Sequence, residues 1–193
     1  MPPKKPISPA GSAGGSQSIY QLKVTLLGSA PPIWRRFEVS HDLTLEKLHN
    51  ILQVVMGWEN AHLYDFYKGR ERLSKSLMLF QAATRARSKF IYLYDMGDSW
   101  EHEIVVEKVL KDQEGKSHPV CLEGLRACPP EDCGGISGYE EMLDAVKDPG
   151  HPDHEHFQEW LGDDFDPETF DLEGINKRLR RFKIWLCITR SIS

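Results

Sequence analysis

Apolar and polar positions alternate first in IYQLKVTLLG, residues 19–28. Tyr20, Leu22, Val24 and Leu26 fall two apart, the period of a strand whose side chains point in turn to two faces. SAPP interrupts the pattern, and IWRRFEVS (33–40) resumes it. Ile33, Phe37 and Val39 share one face there, and Trp34, Arg36 and Glu38 the other. The pair predicts a hairpin with a proline-stiffened loop. The period then changes. In LTLEKLHNILQVVMGW, Leu45, Leu48, Leu52 and Val55 recur three and four apart, which predicts a helix. Thr44 or Asp42 is placed to cap its start, and Gly57 to end it. HLYDFYKG (62–69) returns to a strand pattern, and residues 70–88 are polar and irregular.

KFIYLYD (89–95) is a β-prone run, and MGDS predicts a turn with Gly97 free to take positive φ. The partner strand is WEHEIVVEKVL (100–110). Trp100, His102, Ile104 and Val106 occupy its apolar face, and Glu101, Glu103, Val105 and Glu107 the other. Residues 111–120 read as a polar loop. Further on, Ser137 and Glu140 have capping-box spacing ahead of an apolar stripe of Tyr139, Met142, Leu143 and Val146. Pro152 opens a short helix carrying Phe157, Trp160 and Leu161, which Gly162 stops. Asp166-Pro167 is placed to start a last helix carrying Leu172, Ile175, Leu179 and Phe182. The order strand, strand, helix, strand predicts an α+β fold. Its expected form is a β-grasp-like mixed sheet with one crossing helix, an added β-hairpin and a C-terminal helical subdomain.

Composition changes this picture little. Of 193 residues, 40% are hydrophobic and 27% charged, which suits one soluble domain with a real core. The formal net charge of -5 argues against a fold-wide attraction to phosphates. No apolar run is long enough to span a bilayer. The N-terminal residues 1–18 are rich in Pro, Gly and Ser, lack the apolar core of a signal peptide, and are expected to be a disordered tail. A cytoplasmic, reducing location is the corresponding expectation, and clustered cysteines there are more often metal ligands or free thiols than disulfides.

The segment ACPPEDCGG (127–135) carries the sharpest candidate chemistry. Cys121, Cys128 and Cys133, joined by the inward-facing His102, have the donor types that zinc takes in tetrahedral sites. Pro129 and Pro130 would stiffen the loop, and Gly134 and Gly135 would let the backbone turn tightly. Two readings stay open: a structural zinc held by these four side chains, or a stiff turn with buried thiols beside a hydrogen-bonded core histidine. A reactive thiol is disfavoured, because Glu131 and Asp132 beside Cys133 oppose a thiolate. HPDHEHF (151–157), and Asp95, Asp98 and His102 around the hairpin turn, are candidate hard-metal sites. Solvated helix start and turn formation are their plainer readings. Trp34, Arg35 and Arg36, with Asp98 and Trp100, are candidates for a binding surface. Arg35, Arg36, Lys177, Arg178, Arg180, Arg181 and Lys183 could meet nucleic-acid phosphates, although cations late in a helix are favourable anyway.

Five stretches carry a resemblance. They are IYQLKVTLLGSAPPIWRRFEVS, LTLEKLHNILQVVMGWENAHLYDF, YDMGDSWEHEIVVE, ACPPEDCGGISGYEEMLDAVKDPGHPDHEHFQEWLG and FDPETFDLEGINKRL. In this order, from about residue 19 to residue 180, they closely resemble the plasmid Ri open-reading-frame-three-like family, whose members are also labelled insertion-element passengers or resolvase-like. The resemblance implies a compact α+β domain over 19–182 and an association with mobile elements, but little chemistry. Residues 183–193 depart from the family pattern as an atypical tail. No serine-recombinase nucleophile context or helix-turn-helix accompanies the resolvase label. The expected function is therefore a non-catalytic protein-interaction or adaptor module, with structural zinc as the candidate cofactor and an unidentified protein as partner. A metal-dependent hydrolase or nuclease, and a nucleic-acid-binding accessory protein, are the alternatives.

Overall fold

A computed structural model describes residues 18–162 and 165–190, with 182–190 described by backbone alone. Of the expected tail at 1–18, residues 1–17 lie outside the described residues and Ser18 opens the first strand; the Phe182 position of the last stripe and the end of the atypical tail lie outside the described side chains. The strands are β1 (Ser18–Leu26), β2 (Trp34–Ser40), β3 (Tyr64–Lys68), β4 (Glu71–Leu73), β5 (Lys89–Tyr94), β6 (Trp100–Lys111) and β7 (Val120–Leu125). The helices are α1 (Leu45–Met56), α2 (Leu79–Ala82), α3 (Gly135–Lys147), α4 (His154–Leu161) and α5 (Leu172–Arg190).

The strands form one seven-stranded sheet in the order β4-β3-β5-β6-β1-β2-β7. Every pairing is antiparallel, so the sheet is not mixed as expected. The added hairpin β5–β6 is not an appendage either. It joins β3 to β1 and places β6 near the middle of the sheet.

Alternation sets the buried face. Leu22, Val24 and Leu26 of β1 lie opposite Val106, Ile104 and His102 of β6, and all six are at most 1% exposed. Leu45, Leu48, Leu52 and Val55 of α1 are also fully buried in this core. Thr44 caps the helix by accepting from Lys47 N, and Gly57 ends it at φ 90, where a Cβ would be strained. Tyr139 and Met142 of α3 and Ile175 and Leu179 of α5 belong to the same cluster, so the C-terminal helices share one core with the sheet. On the other face Arg36 is ion-paired to Glu107 and Glu123, and the side chains of Lys23 and Arg36 lie over the ring of Trp34.

Three local expectations change. Gly97 does not carry the positive φ of the β5–β6 turn; Asp95 (φ 57) and Ser99 (φ 55) do. The Asp95 carboxylate accepts from Gly97 N, a local bond that lets an aspartate tolerate the left-handed region. Helix α3 begins at Gly135 with Gly134 at its cap, so Ser137 lies inside the first turn. Asp166 organises a turn by accepting from Glu168 N and Thr169 Oγ1, and α5 begins only at Leu172.

Gly135 ties α3 to the β5–β6 turn. Its φ is +70, and a Cβ there would stand 2.5 Å from the backbone oxygen of Asp98. Gly135→Ala is expected to cost about 1–3 kcal/mol, because strain and clash coincide at a fixed backbone. Urea unfolding checks this; a midpoint equal to that of the parent chain would contradict it.

Candidate functional site

The four proposed zinc ligands do not converge. Cys121 points into the core from β7, with its sulfur 3.5 Å from the Arg36 carbonyl. Cys128 Sγ accepts from Arg35 Nη2 (3.1 Å) and lies 3.7 Å from Met56 Sδ. Cys133 is half-buried, its thiol 4.0 Å from the Gly135 carbonyl. Burial pushes the thiols of Cys121 and Cys128 up to about 11 and that of Cys133 up to about 12, the last helped by Asp98 and Asp132. Thiols so placed are protonated and weakly nucleophilic at neutral pH.

His102 is a core residue with no exposed surface. Its Nδ1 donates to the Tyr92 carbonyl (3.3 Å), and its ring meets Trp58 edge-on with centroids 5.1 Å apart. Burial lowers its pKa to about 4. His49 resembles it. Its ring stacks on Tyr64 at 3.5 Å, its Nε2 donates to Asn60 Oδ1 (2.7 Å), and its Nδ1 accepts from Tyr92 Oη (2.7 Å). Neither ring is placed as a base facing solvent.

The expected binding surface also divides. Trp34 and Arg36 stand on the solvated sheet face, but Arg35 is 2% exposed on the core side and Trp100 is fully buried. Alternation explains both, since Arg35 shares the face of Ile33 and Phe37, and Trp100 that of His102. Asp98 is half-buried at the turn, where its Oδ2 accepts from Gly134 N (3.1 Å). Lys177, Arg178, Arg180 and Arg181 are exposed along α5, opposite buried Ile175 and Leu179. In 151–157, His154 Nδ1 donates to the Ala145 carbonyl (2.8 Å), a helix-start contact rather than a ligand cluster.

A different group does converge. Asp95 follows β5, His62 precedes β3, and Asp132 lies in the cysteine loop. Their ligand atoms all lie within 4.8 Å of one another, and no other group of three or more His, Cys, Asp or Glu does so among the described residues. His62 Nδ1 faces Asp95 Oδ2 at 3.6 Å, and His62 Nε2 faces Asp132 Oδ1 at 3.1 Å. Tyr94 binds this arrangement together. Its hydroxyl accepts from Ala61 N and His62 N and donates to Glu131, the neighbour of Asp132. Burial, then the bond to Glu131, raises the Tyr94 pKa, so the hydroxyl keeps the proton that it donates. Asp95 was legible in the turn sequence. His62 and Asp132 were not, because the loops that carry them meet only through the tertiary fold.

Beside this cluster a cleft of about 460 Å³ opens between the end of α1, the loop 128–132 and α4. Trp58, Glu59, Glu131, Asp132 and Trp160 line it, and none of its lining residues is basic. Trp58 is fixed at its base: Nε1 donates to the Pro129 carbonyl (3.0 Å), and the ring stacks on Tyr94. Trp160 is 44% exposed at the rim.

A model of the family described as plasmid pRiA4b ORF-3-like protein matches residues 18–174, a range that includes the whole cluster and the cleft. An uncharacterized protein, y4hQ, of Sinorhizobium fredii is 36% identical over 175 residues, covering 83% of this chain and 90% of that protein. A crystal structure of a protein of unknown function, MM3350 from Methanosarcina mazei Go1, is similar at a TM-score of 0.75 and 36% identity. That match covers 83% of this chain and 97% of the other. No described helix is long and apolar enough to cross a membrane.

Proposed function

Because this chain belongs to the plasmid pRiA4b ORF-3-like family, whose relatives named above carry no assigned activity, its role has to be argued from the site, and we propose a non-catalytic binding module for a basic segment of a partner protein. One observation carries the reading. The cleft combines two indole rings with three carboxylates and no cation of its own. A lysine or arginine side chain entering it gains ring faces for its cation and acids for its hydrogen bonds. A phosphate backbone would meet only repulsion there. The buried thiols and core histidines supply no activated nucleophile or base to the cleft, which favours recognition over chemistry.

Titration of the chain with an arginine- and lysine-rich peptide, followed by tryptophan fluorescence, tests this. Binding is expected to weaken as salt rises and to be lost in Glu59→Lys, with a neutral peptide of equal length inert. Binding that survives Glu59→Lys, or no binding of the basic peptide, would overturn the reading.

A further inference from the structure

We propose that His62, Asp95 and Asp132 form a binding site for one divalent transition-metal ion. The donor set is one imidazole and two carboxylates, which suits Mn²⁺, Fe²⁺, Co²⁺ and Zn²⁺. A tetrahedral ion with N and O ligands at about 2.0–2.1 Å holds them roughly 3.3 Å apart. His62 Nε2 lies 3.1 Å from Asp132 Oδ1, close to that spacing, and one ligand atom from each of the three residues lies within 4.8 Å of the others.

Two further observations point to a ligand. His62 Nε2 is buried without a hydrogen-bond partner; although Asp132 Oδ1 is only 3.1 Å away, the approach is too oblique for a hydrogen bond. The Asp95 side chain is 9% exposed, yet its two oxygens are unequally used. Oδ1 accepts from Gly97 N at 2.8 Å, while the contact of Oδ2 with His62 at 3.6 Å is too long for a hydrogen bond. His62 Nε2 is therefore a buried nitrogen without a partner beside the Asp132 carboxylate, while Asp95 Oδ2 faces the other ring nitrogen. Buried polar groups ordinarily find partners, so Nε2 marks a place where one is supplied from outside the chain.

The supports are those of a metal site. The Asp95 backbone is pinned, its N–H donating to the Leu63 carbonyl and its carbonyl accepting from Ser99 N. The Tyr94 hydroxyl holds the chain at His62 on one side and Glu131, beside Asp132, on the other. Hydrogen-bonded partners of this kind fix ligand orientation before the ion arrives. Asp132 is exposed, so an ion would keep an open position towards the cleft. The inference stands apart from the reading of the cleft, although Asp132 is common to both.

Cobalt(II) titration of the full chain, with a non-chelating reductant present, tests it by visible and near-ultraviolet absorption. One ion per chain is expected, without thiolate-to-cobalt charge-transfer absorption. Affinity should fall at least tenfold in His62→Ala and in Asp132→Asn, and should be unchanged in Cys133→Ser. Asp132 is exposed, so its variant is expected to keep the parent thermal midpoint, which separates loss of the ion from loss of the fold. Tyr94→Phe should weaken binding by roughly tenfold through ligand positioning. Absence of binding, a thiolate band, or equal affinity in Asp132→Asn would overturn the proposal. Failure of the basic peptide to bind leaves the cobalt result intact, and the reverse also holds.

Discussion

Arg35→Met should be among the most destabilising single substitutions in this chain, at about 3–5 kcal/mol. Arg35 is buried on the core face of β2, without a carboxylate among its hydrogen-bond partners. Carbonyls take that role. Nε donates to Val55 O (3.0 Å), and Nη1 donates to Trp34 O (2.8 Å) and Leu125 O (2.9 Å). Val55 lies in the last turn of α1, where carbonyls lack helical partners and the helix dipole is negative. The guanidinium thus closes that helix end, joins it to the sheet edge, and lies over the Phe170 ring at 4.8 Å.

Methionine keeps much of the volume but removes every donor, leaving buried carbonyls with unmade hydrogen bonds. Arg35→Lys keeps the charge but not the fork that serves several acceptors, and should recover only part of the loss. For a domain of this size, 3–5 kcal/mol corresponds to a drop in thermal midpoint of roughly 10 °C. Calorimetry on the parent chain and both variants checks this. A midpoint in Arg35→Met within about 2 °C of the parent would show that the carbonyls find other partners.

Arg35 also shows how much the sequence discloses. Alternation through 33–40 places it with Ile33, Phe37 and Val39, so its burial was readable once residue type was set aside. The pull of a Trp-Arg-Arg triplet towards a surface reading hid it. The same alternation correctly put His102 inward on β6, and helical spacing gave α1 with both ends. Strand β7 was not legible, because it is a sheet-edge strand with Cys121 as its one buried position, which erases the period of two. The antiparallel order depends on which strand β6 chooses, and composition does not encode that choice. The cluster of His62, Asp95 and Asp132 draws on three loops separated by 33 and 37 residues, a convergence that spacing rules do not detect.

Acid should weaken this protein well before its carboxylates are titrated. His49 and His102 are buried and neutral, and burial lowers both from 6.5 to about 4. At His49 the bond to Asn60 opposes that shift and Lys75 adds to it. Above about pH 6.5 both rings are uncharged in the folded and unfolded chains, so stability does not depend on them. Below it the unfolded chain takes up protons that the folded chain refuses until about pH 4. The unfolded state then binds more protons, and stability falls as pH falls through that window.

His102, with no exposed surface, contributes a slope of up to about 1.4 kcal/mol per pH unit, and His49 at most the same. From pH 6.5 to 5 the joint loss is roughly 2–4 kcal/mol. Glu107, held below the usual carboxylate range by its bond to Arg36, loses its contribution only at lower pH and does not mimic the effect. Urea unfolding at pH 7, 6 and 5 measures the slope, and His49→Gln should flatten it while leaving the His102 share. A midpoint that is constant or rises between pH 7 and 5 would mean that one of these rings reaches water in the folded chain, which would contradict the packed arrangement of Tyr64, Tyr92 and Trp58 around them.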